Sequence, residues 1–142
     1  MSALLDVNVL LALFDPEHEH HAEALRWWTD NRADGWASCP LTQNGFVRVI
    51  SNPRYARPLP LADAIYLISA QSAQPGHIFW PDDVSLLDAT FFDHRQLRGP
   101  QQITDAYLLA LAIKNGGRLV TFDRSLARDA VRGVQKDHVV TL

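Results

Sequence analysis

The chain has 142 residues, of which 47% are hydrophobic and 20% are charged, and its formal net charge is −3. This balance excludes an intrinsically disordered chain and predicts one globular domain over residues 1–142. The acidic total counts against a surface coated in basic patches, and the one cysteine, Cys39, excludes an intrachain disulfide and a cysteine-based zinc cage.

The apolar run from Ala3 to Phe14 is similar to a signal peptide only in its hydrophobicity. It lacks a basic start, and Asp6 and Asn8 interrupt it. No later stretch reaches the ~20 apolar residues that a membrane-spanning helix needs. We therefore expect a cytoplasmic protein without a membrane partner.

Strand patterns and helix patterns alternate along the chain. The strands are predicted at residues 4–9, 36–39, 77–80, 119–122 and 139–142. The helices are predicted at residues 15–31, 41–50, 61–72, 85–95 and 104–115, with Asp15 and Thr104 as N-caps. This alternation predicts an α/β fold: a three-layer α/β/α sandwich with a central, mainly parallel sheet.

Three carboxylates are predicted to meet at one edge of this sheet. Asp6 lies toward the end of the first predicted strand, Asp123 follows the fourth, and Asp105 lies in the first turn of the long apolar helix. Ligands of open parallel sheets bind beyond the carboxyl ends of the strands. Because converging carboxylates repel each other, such a cluster indicates a bound cation, and oxygen ligands favour Mg²⁺ or Mn²⁺. These ions support hydrolysis of a phosphodiester.

Each of these polar residues also has a structural interpretation. Asp105 is a favourable charge at a helix N-terminus, and Asp123 is a possible cap for a helix beginning at Ser125. Asn8 either orients the metal shell or substrate, or is a turn-favouring polar group. Asp6 is the hardest to explain structurally, since an unpaired carboxylate in an apolar strand is costly.

Taken together, the motifs resemble those of the PIN-domain ribonucleases. The sequence reads LDVNVL over residues 5–10, ITDAYL over residues 103–108 and TFD over residues 121–123. The match looks nearest to the VapC toxins of bacterial toxin–antitoxin pairs. Residues 39–48 and 76–83 look like a mycobacterial-type subgroup of these toxins. The resemblance covers essentially the whole chain.

The resemblance implies a PIN-like fold and Mg²⁺-dependent endonucleolytic cleavage of RNA, with Mn²⁺ as a substitute. It implies metal ligands at Asp6, Asp105 and Asp123, and Asn8 joins them as a catalytic candidate. It also implies a homodimer and a cognate antitoxin that blocks the site.

The sequence departs from the family at the helix after the second strand. Many PIN nucleases carry a glutamate there, whereas residues 43–46 read QNGF. The missing acid leaves fewer negative ligands and predicts a weaker second metal site. Asn44 and Gln43 are candidates for holding a metal-bound water, although polarity of the helix surface explains them equally well.

Four residues are candidates for binding RNA. Arg48 lies four residues after Asn44, so the two share one helix face, and arginine suits phosphate contact. Arg124 directly follows Asp123, and Thr104 directly precedes Asp105. Surface solubility is an equally good explanation for both arginines.

Two other functions are compatible with the sequence. A phosphatase of the haloacid-dehalogenase type also places an aspartate after strand one, but it needs a second acid at the position of Asn8, which cannot exchange a proton. The second alternative is a catalytically weakened PIN domain that only binds RNA or a partner. The segment Glu17 to His21 has metal-ligand residue types, and a solvated helix turn is the favoured interpretation.

Overall fold

The fold is described by a computed structural model that covers residues 1–142, and its centre is a parallel sheet in the order β3-β2-β1-β4-β5. The strands are β1 Ala3–Leu5, β2 Trp36–Ser38, β3 His77–Phe79, β4 Arg118–Thr121 and β5 Val139–Thr141. The helices are α1 Val7–Phe14, α2 His21–Asn31, α3 Pro40–Ile50, α4 Leu61–Ser72 and α5 Ile103–Lys114. The predicted α/β sandwich around a parallel sheet is confirmed.

The alternation of side chains along the strands divides the core into two layers. Leu4 and Leu119 point to the face covered by α5, while Leu5 and Val120 point to the face covered by α1, α2, α3 and α4. All four side chains are fully buried. This packing fixes the register of β1 against β4, so the residues that follow both strands lie at the same edge of the sheet.

The first strand is shorter than predicted. It ends at Leu5, and the apolar residues that follow form α1, with Asp6 as its N-cap. Five residues of this short helix are buried, so its sequence carries a continuous apolar run. A run of that kind does not distinguish a buried strand from a buried helix, because neither has a polar face.

The helix predicted to begin at Asp15 is also wrong at its start. Asp15 is the C-cap of α1, and α2 begins only at His21. The Asp15 carboxylate accepts hydrogen bonds from the Glu17 backbone N–H at 3.1 Å and the Tyr55 hydroxyl at 2.6 Å. The side chain therefore holds a turn and a distant loop in place of a helix cap.

The helix predicted at residues 85–95 is absent, and a single 3₁₀ turn at His94–Gln96 stands near its end. Asp88 and Asp93 accept hydrogen bonds from backbone N–H groups two residues ahead, which competes with helix formation.

Two helix caps differ from the sequence prediction. Gln102 is the N-cap of α5, which places Thr104 inside its first turn, and no helix begins at Ser125.

No helix of the protein combines the length and the apolar character needed to cross a membrane. The longest helices, α4 and α5, have 12 residues each.

The close approach of α3 to α1 depends on Gly45. A Cβ atom at this position would lie 2.6 Å from Val7 Cγ2, inside van der Waals contact. Val7 is β-branched and stiff within its helix, so it cannot easily rotate away. We expect Gly45→Ala to destabilise the fold by about 1–3 kcal/mol through overpacking, which exceeds the ~1 kcal/mol that alanine gains in helix propensity.

Thermal or urea unfolding measures this effect, and Val7→Ala supplies the control. The double variant should recover much of the lost stability, because the added methyl group then has space. A more stable Gly45→Ala protein would contradict the close contact.

Candidate metal centre

Asp6 lies where β1 passes into α1. Its backbone N–H donates to the Val120 carbonyl at 3.0 Å, which continues the sheet pairing by one residue. The chain then turns into the helix, and Asp6 Oδ1 accepts a hydrogen bond from the Val7 N–H at 2.7 Å. The side chain is buried, and this burial is the main reason that its pKa is raised above the ordinary value.

Thr121, the last residue of β4, connects the polar groups of the site. Its hydroxyl donates to Asp6 Oδ2 at 2.7 Å and accepts from the Asp123 N–H at 3.0 Å. It also accepts from Asn8 Nδ2 at 3.3 Å. Thr121 is fully buried, so this hydroxyl holds Asp6 and Asp123 in a fixed relation.

Asn8 lies in the first turn of α1 and spans the gap to β4. Besides its bond to Thr121, its Oδ1 accepts from the Phe122 N–H at 3.3 Å. Both polar ends of the amide are therefore used in holding α1 against the end of β4. This geometry gives Asn8 a structural role, and its role in orienting the metal shell or substrate stays a prediction.

Asp105 and Asp123 form a coupled carboxyl pair. Burial, a hydrogen bond to Asp123 and the negative charges of Asp6 and Asp123 raise the pKa of Asp105 to about 7. The pKa of Asp123 is lowered, chiefly because the Ser125 hydroxyl donates to it at 2.7 Å and Asp105 hydrogen-bonds to it. The pair therefore retains one proton, on Asp105, at pH values below about 7 and loses it as the pH rises through this value.

No basic side chain neutralises this cluster. Every ion pair of the protein lies elsewhere, and none includes Asp6, Asp105 or Asp123. Three carboxylates without a cationic partner have the donor chemistry that a hard divalent cation requires. As they stand, no three ligand-type side chains are close enough to hold one ion together. A cation would have to compete with the Asp105 proton for its ligands.

The helix that lacks a glutamate lies beside Asp6. Gln43 Nε2 donates to Ser38 Oγ at 2.9 Å at the end of β2, so this amide already has a partner within the protein. Gly45 faces Val7, the residue directly after Asp6. Asn44 is exposed, and its role in holding water stays a proposal.

The candidate RNA-binding residues divide into two groups. Thr104 and Arg124 are exposed and lie next to Asp105 and Asp123, at the carboxylate edge. Arg48 lies eight residues beyond the start of α3, roughly 12 Å along the helix axis at 1.5 Å per residue. It lines a separate surface hollow with Arg54 and Tyr55.

The histidine-rich segment before α2 contacts the protein itself. The His20 ring stacks on Phe122 with 5.0 Å between ring centroids, and His21 Nδ1 lies 2.8 Å from the Ala12 carbonyl oxygen.

Of the residues that build the site, sequence reasoning missed the connecting role of Thr121. A hydroxyl residue two positions before Asp123, at a strand end, was the available signal.

The sequence matches the family model of the PIN domain over residues 3–131. The chain belongs to the PIN-domain family. Among curated proteins, it is 54% identical to Ribonuclease VapC44 of Mycobacterium tuberculosis over the full length of both chains. It is 46% identical to Ribonuclease VapC39 of the same species over 94% of this chain and 97% of that one. These relatives place the chain in the VapC group of PIN-domain ribonucleases.

Solved structures agree on the fold. One is the crystal structure of M. tuberculosis VapC20, titled a sarcin-ricin loop cleaving toxin, with a TM-score of 0.60, 14% identity and coverage of 94% of this chain and 99% of that one. Another is VapBC2 from Rickettsia felis bound to a promoter DNA fragment, with a TM-score of 0.56, 12% identity and coverage of 88% of this chain and 90% of that one.

Membership of the PIN family excludes the phosphatase of the haloacid-dehalogenase type that the sequence left open.

The coupled carboxyl pair makes stability depend on pH. The pKa of Asp105 is about 7 in the folded protein against an ordinary value of 3.8, so the folded state binds this proton more tightly than the unfolded state. Its contribution to stability is complete below pH 3.8 and is lost as the pH rises through 7. Without divalent cations, we expect the melting temperature of wild type to fall over this range relative to that of Asp105→Asn.

Melting curves in EDTA from pH 4 to pH 8 measure the difference. Asp30→Asn is the matched control, because Asp30 is an exposed carboxylate on α2 outside the site, and its curve should run parallel to that of wild type. Parallel curves for wild type and Asp105→Asn would contradict the shared proton.

Proposed function

We propose that residues 1–142 form one nuclease domain that cleaves RNA endonucleolytically with Mg²⁺ or Mn²⁺, as the toxin of a type II toxin–antitoxin pair. The observation that supports the proposal is the mutual proximity of three acids: the negative charges of Asp6 and Asp123 raise the pKa of Asp105, and no basic side chain pairs with any of the three. Negative charges this close to each other repel, and a divalent cation bound between them would remove the repulsion because each carboxylate attracts it.

The residues at the carboxylate edge have different roles in the proposed function. Asp6, Asp105 and Asp123 would hold the cation, and Thr121 keeps the first and last of these oriented. When bound, the cation supplies charge stabilisation at the phosphodiester and lowers the pKa of a water molecule. Asn8 positions the start of α1 against β4. The exposed neighbours Thr104 and Arg124 would contact the RNA backbone.

The relatives support the substrate and partner classes. The curated relatives are named ribonucleases, and VapC20 is described as a sarcin-ricin loop cleaving toxin. The Rickettsia structure contains VapBC2 bound to a DNA fragment from their promoter. We propose RNA as substrate and a cognate antitoxin as partner. A neighbouring reading frame for a small DNA-binding protein would support the antitoxin, and its absence would count against it.

The catalytic proposal is tested with Asp6→Asn. We expect RNA cleavage to fall by more than about 100-fold, the upper end of losses for outer-shell residues of metal sites. Mg²⁺ should raise the melting temperature of wild type and raise that of the variant less, because a cation that binds only the folded state stabilises it. Asp30→Asn should match wild type in both measurements.

Full activity in folded Asp6→Asn would remove this residue from the site. A wild-type protein that neither cleaves RNA nor gains stability with Mg²⁺ or Mn²⁺ would favour the catalytically weakened alternative.

We also propose a homodimer. Helix α4 exposes Leu61, Ile65 and Tyr66, with 60%, 49% and 74% of their surfaces accessible, and the edge strand β3 exposes Phe79 at 52%. Large apolar side chains concentrated in this way are typical of an interaction surface. Sedimentation equilibrium should give the mass of a dimer, and Ile65→Glu should shift it toward the monomer. A wild-type monomer at all concentrations would reject the dimer.

A further inference from the structure

A polar cavity of about 330 Å³ opens beside the carboxylate edge. Its volume lies within the range of small-ligand sites. The polar residues that line it are Gln96, Arg98, Gln102, Ser125, Arg128 and Asp129. None of them was a candidate in the sequence, and the metal centre uses only Ser125.

Two of these residues connect the cavity to the metal centre. Ser125 donates to Asp123 Oδ1 through its N–H at 2.8 Å and through its hydroxyl at 2.7 Å. Gln102 is the N-cap of α5, three residues before Asp105. The cavity therefore lies between the segment that leads into Asp105 and the segment that leaves Asp123.

The two arginines of the cavity are free to bind an anion. Neither Arg98 nor Arg128 forms an ion pair, although Asp129 lines the same cavity. By contrast, Arg95 is paired with Asp93, and Arg57 with both Asp15 and Glu17. The turn that carries Arg98 is held by the Gln102 side chain, because the Arg98 N–H donates to Gln102 Oε1 at 2.8 Å.

Basic residues are enriched in the part of the sequence that contains the cavity. Residues 95–142 contain eight Arg or Lys and four Asp residues, a net charge of +4, whereas residues 1–94 have a net charge of −7. Three of the eight bases pair with acids of residues 1–94. Arg98 and Arg128 are not among them, so their charges at the cavity are available to attract an anionic ligand.

Basic side chains continue beyond the cavity. Arg128 also lines a second hollow of about 620 Å³ with Lys136 and Arg118. The acidic Asp137 lines the same hollow, and Arg118 pairs with Asp34. A single phosphate or small anion would occupy one of these positions. A polynucleotide, whose charges repeat along its length, matches a series of them.

We propose that this cavity is a binding subsite for the RNA strand next to the cleaved linkage. Arg98 and Arg128 contact backbone phosphates, for which the guanidinium group is suited, and Gln96 and Gln102 offer amide groups to a base edge. The proposal rests on the nuclease function proposed above. It assigns RNA contacts to residues 96–102 and 125–129.

Binding is tested in the cleavage-deficient Asp6→Asn protein, in EDTA, by anisotropy of a short fluorescein-labelled single-stranded RNA. We expect Arg98→Gln and Arg128→Gln each to weaken binding about five- to tenfold, the loss of one charge-assisted hydrogen bond. Each should also reduce the slope of log K against log salt by about 0.7. Arg26→Gln, an exposed arginine on α2, should change neither quantity.

Cleavage with Mg²⁺ gives an independent readout in the chain with Asp6 intact. The two variants should raise KM and leave kcat within about twofold, because uniform binding is lost. Unchanged Kd and KM in both variants, with RNA still cleaved, would reject the subsite and leave the nuclease function standing.

RNA binding without RNA cleavage is the outcome that distinguishes the subsite from the nuclease function. RNA binding that depends on Arg98 and Arg128, in a chain that never cleaves RNA, would support the subsite and reject the nuclease. An equal loss with Arg26→Gln would show nonspecific attraction and overturn the subsite. Displacement of the RNA by polyglutamate as readily as by unlabelled RNA would also overturn it, in favour of an acidic protein partner.

Discussion

The hydroxyl of Thr121 is the contact on which the carboxylate edge depends. It donates to Asp6, accepts from the backbone of Asp123 and from Asn8, and has no access to water. Two acids that repel each other are thereby held at adjacent strand ends. Asp105 approaches them from α5, and its raised pKa of about 7 lets it keep a proton at lower pH, which limits the repulsion. In the proposed function, the charge of a divalent cation would replace both this proton and the missing basic partner.

The sheet determines why these groups meet. Because β1 and β4 are parallel neighbours in register, their carboxyl ends coincide, and the chain leaves both at the same edge. Helix α3 approaches α1 closely through Gly45, which brings the end of β2 toward the same region. The metal centre is therefore a consequence of strand order and of one tight helix contact, and α5 adds the third carboxylate from the opposite layer.

Side chains of opposite charge lie close together in this small domain. The cavity with Arg98 and Arg128 lies beside the carboxylate edge. In the proposed function, these arginines and a cation would together offset the repulsion between a phosphodiester and the carboxylates. The net charge of −3 conceals this arrangement, because the acidic residues of the first 94 positions outnumber the bases elsewhere.

The sequence by itself determined the fold class and the positions of four of the five strands, because buried parallel strands leave local patterns. The roles of several side chains have no local pattern in the sequence, and only the tertiary structure decided them. Asp6 caps α1 and does not lie within a strand, because an apolar run suits a buried helix equally well. Asp15 holds Tyr55, forty residues away, where its spacing to Pro16 indicated a helix cap. The roles of Thr121, Arg98 and Arg128 arise from segments far apart in the chain, and only folding brings those segments together.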